Sequence, residues 1–435
     1  MKDSHLLPIS DLNLLAATSN GRENLVTSFC ESNSVDKFNV WVGRSKGSEL
    51  IQRQLQEAGG RKLSGLLVGI KDIFASKEFP TSMGTENVWP TSSLKFDARV
   101  IDKLKFEGAV VVGKTSTSEL AVHASNSTRN PRYEGRAVGT SSTGSVAAVA
   151  AGHVPITLAT QTAGSIARPS SYCGVIGFKP SFGTLPRTGI LKTTDEFDSV
   201  GLIGHRVADI EATFDAIRIS GPDHPTHNLE KKDYKFDSLI QMFGADFDNT
   251  SGYLCSQMND YMSTIVDRTN LRLERSLEDK FIQSVREAHT LIYRRDLNYY
   301  LSSELESQEI TETMRAFLGN AGSISRQEYE SALQFINKWR TEYKERISDG
   351  LVITFAANSG APRSEEFGQL DCNSLITASH GPQITIPVLR DSDGRIVNVS
   401  LSARWGLDFP LLTLAHGLFE FSALDIDSFD QNSFA

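Results

Sequence analysis

Residues 139–169 read GTSSTGSVAAVAAGHVPITLATQTAGSIARP, and the parsing of this run decides the fold. It opens with a turn dense in Gly, Ser and Thr, Gly139 to Ser145, which supplies backbone N–H groups and hydroxyls together. Very small residues from Ser145 to Ala151 predict a tightly packing helix, closed by Gly152. Pro155–Thr160 reads as a strand, and a second polar turn follows at Thr162–Ser165. One helix and one strand therefore bring Ser141 and Ser165 near each other, a layout that suits chemistry better than scaffolding.

Upstream, Leu63–Ile70 is an apolar run of strand length with Lys71-Asp72 at its end. An ammonium at the end of a buried strand must be paired or partly neutralised. Position alone leaves two readings: a lysine that snorkels outward or pairs with Asp72, or one made neutral enough to act as a base. A helix over Gly47–Ala58 precedes it, stopped by Gly59-Gly60, and residues 1–45 show weak helical patterns. Between Gly84 and Lys114 the pattern is βαβ-like, with a helix marked by Val100, Ile101 and Leu104 and a strand at Ala109–Val112. The triplet Gly113-Lys-Thr115 invites a phosphate-loop reading. Gly108 stands five residues before Gly113, but it closes a helix and the strand then runs straight into Gly113, so nucleotide binding is rejected.

Downstream, Cys173–Pro180 gives a short strand, residues 181–209 read as loop-rich, and a helix follows near 207–218. After the break at Gly221–Pro225, residues 226–345 are dense in charge, with helical spacing over Leu277–Tyr300 and Arg326–Ile347. Tyr293, Tyr299, Tyr300 and Phe335 are expected to be core stripes of those helices. Strands resume at Leu351–Phe355, Gln383–Val388 and Arg395–Leu401, a last helix spans Pro410–Phe421, and the tail beyond Ala423 reads as frayed.

The 435 residues carry a net charge of −9 with no basic block, which argues against nucleic acid as a partner. Cys30, Cys173, Cys255 and Cys372 are far apart and form no CxxC pair, so neither a zinc site nor a redox motif is expected, and Cys173 reads as a buried, inert thiol. No signal peptide and no apolar stretch of membrane-spanning length appears, so the expectation is a cytoplasmic enzyme with no membrane partner.

The chain resembles the amidase signature family in Gly69–Asp72, Gly113–Glu119, Asn130-Pro131, Gly139–Gly152, Thr160–Pro169, Gly177–Pro180, Ala361-Pro362 and Gly381–Pro387, in the family's order. The resemblance is dense over 45–210 and thin over 350–421. It implies an α/β fold: one domain over 1–435 with a mixed, mostly buried sheet flanked by helices on both sides, capped by a variable helical region at 215–345. It implies that Ser165 is the acyl-accepting nucleophile, that Ser141 is a bridging serine at a cis peptide, and that Lys71 is the base. Backbone N–H groups of Thr162, Ala163, Gly164 and Ser165 would form the oxyanion hole. Ser142, Ser145 and Asp72 would hold turns and orient Lys71. No cofactor or metal is implied; a homodimer is.

The family turn GGSSGGS carries Thr140 and Thr143 here, and Thr140 is a candidate substrate contact. The usual Asp four before the nucleophile is Gln161, and the usual Arg two after it is Ala167, with Arg168 at the third position. This variant resembles the malonamidase-like branch of small-amide hydrolases and speaks against the glutaminase subunit of glutamyl-tRNA amidotransferase. Arg168 would either clamp a substrate carboxylate or form an ion pair beneath the turn. The implied activity is hydrolysis of a small amide. The alternatives are acyl transfer to another acceptor and the role of a non-catalytic partner subunit.

Overall fold

The computed structural model describes residues 3–44, 48–85, 95–122, 126–221, 234–242, 250–274, 279–306, 310–319, 321–364, 366 and 372–420. Its strands are β1 (Trp41–Arg44), β2 (Leu67–Lys71), β3 (Val110–Thr115), β4 (Ile156–Gln161), β5 (Ile176–Lys179), β6 (Ser199–Gly204), β7 (Ser238–Gln241), β8 (Arg272–Glu274), β9 (Leu351–Phe355), β10 (Gln383–Arg390) and β11 (Ile396–Ser402). They form one sheet in the order β1-β3-β2-β4-β6-β5-β10-β11-β9-β7-β8. Strands β2, β3 and β4 run parallel, β4 through β9 pair antiparallel across the middle, and β9, β7 and β8 are parallel again. The sheet is mixed, as expected.

Central strands are buried end to end, including all residues of β2, β3, β4 and β6, which is the signature of a sheet covered on both faces. Helices Thr143–Ala150 and Ala167–Cys173 pack on each other and on the central strands, while Arg99–Phe106, Val207–Ile217 and Asp408–Glu420 form a second covering group. The small residues of the first helix explain its closeness to the sheet. A Cβ on Gly144 would lie 2.3 Å from the Ser116 nitrogen, so only glycine fits there. A second apolar cluster joins Trp339 and Ile336 of helix Arg326–Ile347 to Val285 and Ile292 of helix Asp279–Tyr300, and to Phe197 beside the sheet.

Several sequence expectations need correction. The loop-rich reading of 181–209 missed β6, which sits between β4 and β5. Its six residues, SVGLIG, are buried on both faces and hold two glycines, so neither alternation nor β-branched enrichment marks them. The weak helices of 1–45 exist as Ile9–Ala16 and Ser19–Ser32, but β1 follows them. Among the described residues of 226–345, β7 and β8 stand beside the expected helices; both strands are too short to show a pattern. Tyr293 is core, as read, yet Tyr299 is 74% exposed. Gly47, Pro222–Pro225 and the tail from Phe421 lie outside the described residues.

Candidate active site

Lys71 ends β2. Register sets it opposite Thr115 on β3 and sets Lys114 opposite Ile70, so the two lysines project from opposite faces. Lys71 is fully buried, and its Nζ donates to Ser141 Oγ at 2.7 Å and to Thr160 Oγ1 at 3.1 Å. Among the described residues no carboxylate pairs with it. Burial pushes its pKa from 10.5 down to about 7, against a smaller upward pull from the Asp198 charge. Asp72, expected to orient Lys71, instead pairs with Lys114 at 3.2 Å and accepts the Ser82 N–H at 3.1 Å. Successive side chains at a strand end leave in opposite directions, and the carboxylate went with the other lysine.

The Thr140–Ser141 peptide is cis. The Ser141 carbonyl accepts from the Ser118 N–H at 3.2 Å and from Thr117 Oγ1 at 3.0 Å, which leaves its own hydroxyl directed at Lys71. Ser142 donates to the Thr160 carbonyl at 3.3 Å and Ser145 bonds Thr115 at 2.8 Å, so both hold the turn, as expected.

Ser165 stands half-buried two residues before helix Ala167–Cys173. Its hydroxyl makes no hydrogen bond among the described residues, whereas Lys71 and Ser141 are hydrogen-bonded to each other. The N–H groups of Thr162, Ala163, Gly164 and Ser165 also find no partner among the described residues. Four consecutive unpaired donors are what an incoming oxyanion requires. The turn is held from below by Gln161. Its Oε1 accepts the N–H groups of Ile166 and Ala167 at 3.0 Å each, and its Nε2 donates to Gln383 Oε1 at 2.7 Å and Thr377 Oγ1 at 2.9 Å. Gln383 in turn donates to Asn373 and Ser400 at 2.7 and 2.6 Å. Sequence reasoning registered Gln161 only as a departure and missed Gln383 and Thr377. The available signal was a glutamine opening the otherwise apolar run of β10.

A cavity of about 270 Å³ opens beside this machinery. Thr160, which holds Lys71, and Thr162, where the unpaired N–H run begins, lie in its wall with Ile73, Ile190 and Val200, and Asp198 adds a carboxylate. Asp198 is engaged by the hydroxyls of Thr162 and Thr193 at 2.6 Å each. Lys192, half-exposed at the same cavity, pairs with Asp195 at 2.7 Å. Neither Arg168 nor Thr140 lines this space; both are half-buried. The Arg168 guanidinium lies along Gly164, its Nη2 3.4 Å from where a Cβ there would stand. Thr143 is buried and takes a hydrogen bond from Asn126 Nδ2 at 2.7 Å, so it is a structural replacement for glycine rather than a pocket residue.

The amidase family model matches residues 44–349, and the chain belongs to that family. Among curated relatives, one component of the glutamyl-tRNA(Gln) amidotransferase of Methanothermobacter thermautotrophicus is 36% identical over 204 residues, covering 44% of each chain. The same component from Salinibacter ruber is 33% identical over 208 residues, covering 45% of this chain and 40% of that one. The match thus spans less than half the length of these relatives. Solved structures share the fold over nearly the whole chain. The crystal structure of an amidase gives a TM-score of 0.81 at 20% identity, covering 95% of this chain and 99% of that one. The corresponding component of the Thermotoga maritima amidotransferase gives 0.78 at 22% identity, covering 96% and 95%. Among the described residues no helix is long and apolar enough to cross a membrane.

Proposed function

We propose that this protein hydrolyses a small amide through an acyl-Ser165 intermediate. The observation that carries the reading is Lys71: buried, hydrogen-bonded among the described residues to hydroxyls alone, and 2.7 Å from Ser141 Oγ. A lysine whose pKa burial lowers to about 7 is substantially neutral at neutral pH and can accept a proton. Ser165 Oγ attacks the amide carbon while its proton passes to Ser141, whose own proton passes to Lys71. The carbonyl π pair moves onto oxygen, where the N–H groups of residues 162–165 receive it. Collapse expels the amine, which takes the proton back along Lys71 and Ser141. Water then repeats the sequence on the acyl ester and releases the acid. The Ser165 hydroxyl, unbonded among the described residues, is in this reading left available to the substrate carbonyl.

The cavity volume suits a small substrate. Arg168 lies along Gly164 outside that cavity, and in this reading it meets the carboxylate of a substrate that reaches past the cavity, so Arg168→Ala raises KM far more for acidic amides than for neutral ones. The names of the amidotransferase relatives favour a second reading, in which the ammonia released is delivered to an acceptor. The cytoplasm as location and a homodimer as assembly belong to the same proposal. An ammonia-release screen over small neutral and acidic amides, glutamine included, separates the readings, with Ser165→Ala as control. Mass spectrometry of the quenched protein checks the intermediate. Wild-type protein that neither releases ammonia nor gains an acyl mass on Ser165 makes the chain a non-catalytic partner.

A further inference from the structure

Three of the four unpaired N–H groups, those of residues 163–165, are aimed by contacts made to the carbonyls that precede them. In a trans peptide the C=O of one residue and the N–H of the next point in opposite directions. Fixing a carbonyl on the far side of the turn therefore aims the following N–H toward the site. The Gly164 carbonyl accepts the Arg168 N–H at 3.0 Å, which directs the Ser165 N–H. The Ala163 carbonyl accepts from Thr377 Oγ1 at 2.7 Å, nearer than that hydroxyl's other acceptor, the Asn373 carbonyl at 3.0 Å; this directs the Gly164 N–H. The Thr162 carbonyl lies 2.9 Å from His289 Nε2. A carbonyl can only accept, so Nε2 carries the hydrogen.

We infer that His289, on helix Asp279–Tyr300 of the capping region, is a positioning residue that sets the Ala163 N–H of the oxyanion hole. This rests on the reading of 162–165 as that hole. His289 is almost wholly buried, and its ring stacks on Phe197 at 4.2 Å between centroids. Burial pushes its pKa to about 4, so the ring stays neutral through the working pH range and keeps one hydrogen for the Thr162 carbonyl. Nothing in the proposed proton path uses it. Its contribution is orientation: without it the Thr162–Ala163 peptide can rotate, and one donor leaves the oxyanion.

The test uses the full chain with p-nitrophenyl acetate, reading p-nitrophenolate release for acylation, and a fluorophosphonate probe with peptide mapping for Ser165. His289→Phe keeps the ring stack and removes the donor. Removing an oxyanion donor outright costs about 100- to 1000-fold in kcat. Misaiming one is expected to slow acylation by roughly 10- to 100-fold with KM changed less than about threefold. His289→Gln restores a donor near the Nε2 position and is expected to recover most of the rate. His289→Met matches glutamine in length without the donor and should behave like Phe; this pair decides the matter even where the Phe variant folds poorly. Equal rates for the Gln and Met variants, with Ser165 still labelled, overturn the role of His289 and leave the acyl-serine reading intact. Wild-type protein unlabelled at Ser165 and silent toward the ester overturns both.

Discussion

The ends of β2 and β3 hold two lysines that look alike in sequence and differ in what they can do. Lys71 ends its strand and Lys114 stands one residue before the end of its own; both are wholly buried, and burial lowers both pKa values. Lys114 meets a carboxylate, Asp72, at 3.2 Å, and also the Phe74 carbonyl and Thr81 hydroxyl at 2.6 and 2.7 Å. That shell stabilises an ammonium. Among the described residues Lys71 hydrogen-bonds only to the hydroxyls of Ser141 and Thr160. A hydroxyl can donate to a neutral amine as readily as it accepts from a charged one, so this shell tolerates proton exchange. A shift of one residue in register thus separates a lysine held in an ion pair from one held by hydroxyls, the one proposed above as the base.

The sharpest way to break this contrast is to remove each lysine's function in turn. Lys71→Met should lower kcat by about 100- to 10,000-fold, the range for losing a positioned base, while the urea midpoint holds or rises because an apolar chain of similar size replaces a costly buried amine. A variant with near wild-type turnover would end the case for Lys71 as the base. On the other strand, Asp72→Ala leaves the Lys114 ammonium buried without its counter-charge and should cost about 3–5 kcal/mol of stability. The double variant Asp72→Ala/Lys114→Met should recover much of that loss, and additive losses in urea unfolding would show the pair is not coupled.

The smallest effect is graded with pH. Below the Lys71 pKa of about 7, kcat/KM should fall about tenfold per unit as the amine takes up its proton, and it should level off above. The stability sign follows from the same shift. Folded Lys71 releases its proton near 7, whereas the unfolded chain keeps it to about 10.5. Between those values the unfolded state binds more protons, so this group's contribution to stability rises with pH across that window. A flat rate profile from pH 5 to 8 would place the base elsewhere.

The strand ending in Lys71 and the two small-residue turns carrying Ser141 and Ser165 were legible because they are local, whereas the roles given to the three residues came from the family resemblance. The mixed sheet was legible for a similar reason, since β2, β3, β4, β9, β10 and β11 are apolar runs of strand length. What stayed hidden depends on partners distant in sequence. Asp72 is adjacent to Lys71 yet serves Lys114, and only the pairing register reveals that. Gln161 is fixed by residues more than two hundred positions away, and His289 by a helix packing that no periodicity encodes as chemistry. β6 was invisible because burial on both faces erased its alternation.

The network beneath Gln161 also gives the chain an order of arming during synthesis. All three reactive groups precede residue 166, but the residues that brace their turn, Asn373, Thr377, Gln383 and Ser400, follow residue 372. At about 5–20 residues per second, a ribosome needs on the order of 10 to 50 seconds to travel from one set to the other. Under the acyl-serine reading proposed above, the growing chain carries Ser165 on an unbraced turn through that interval, and activity is expected only once β10 and β11 close the middle of the sheet.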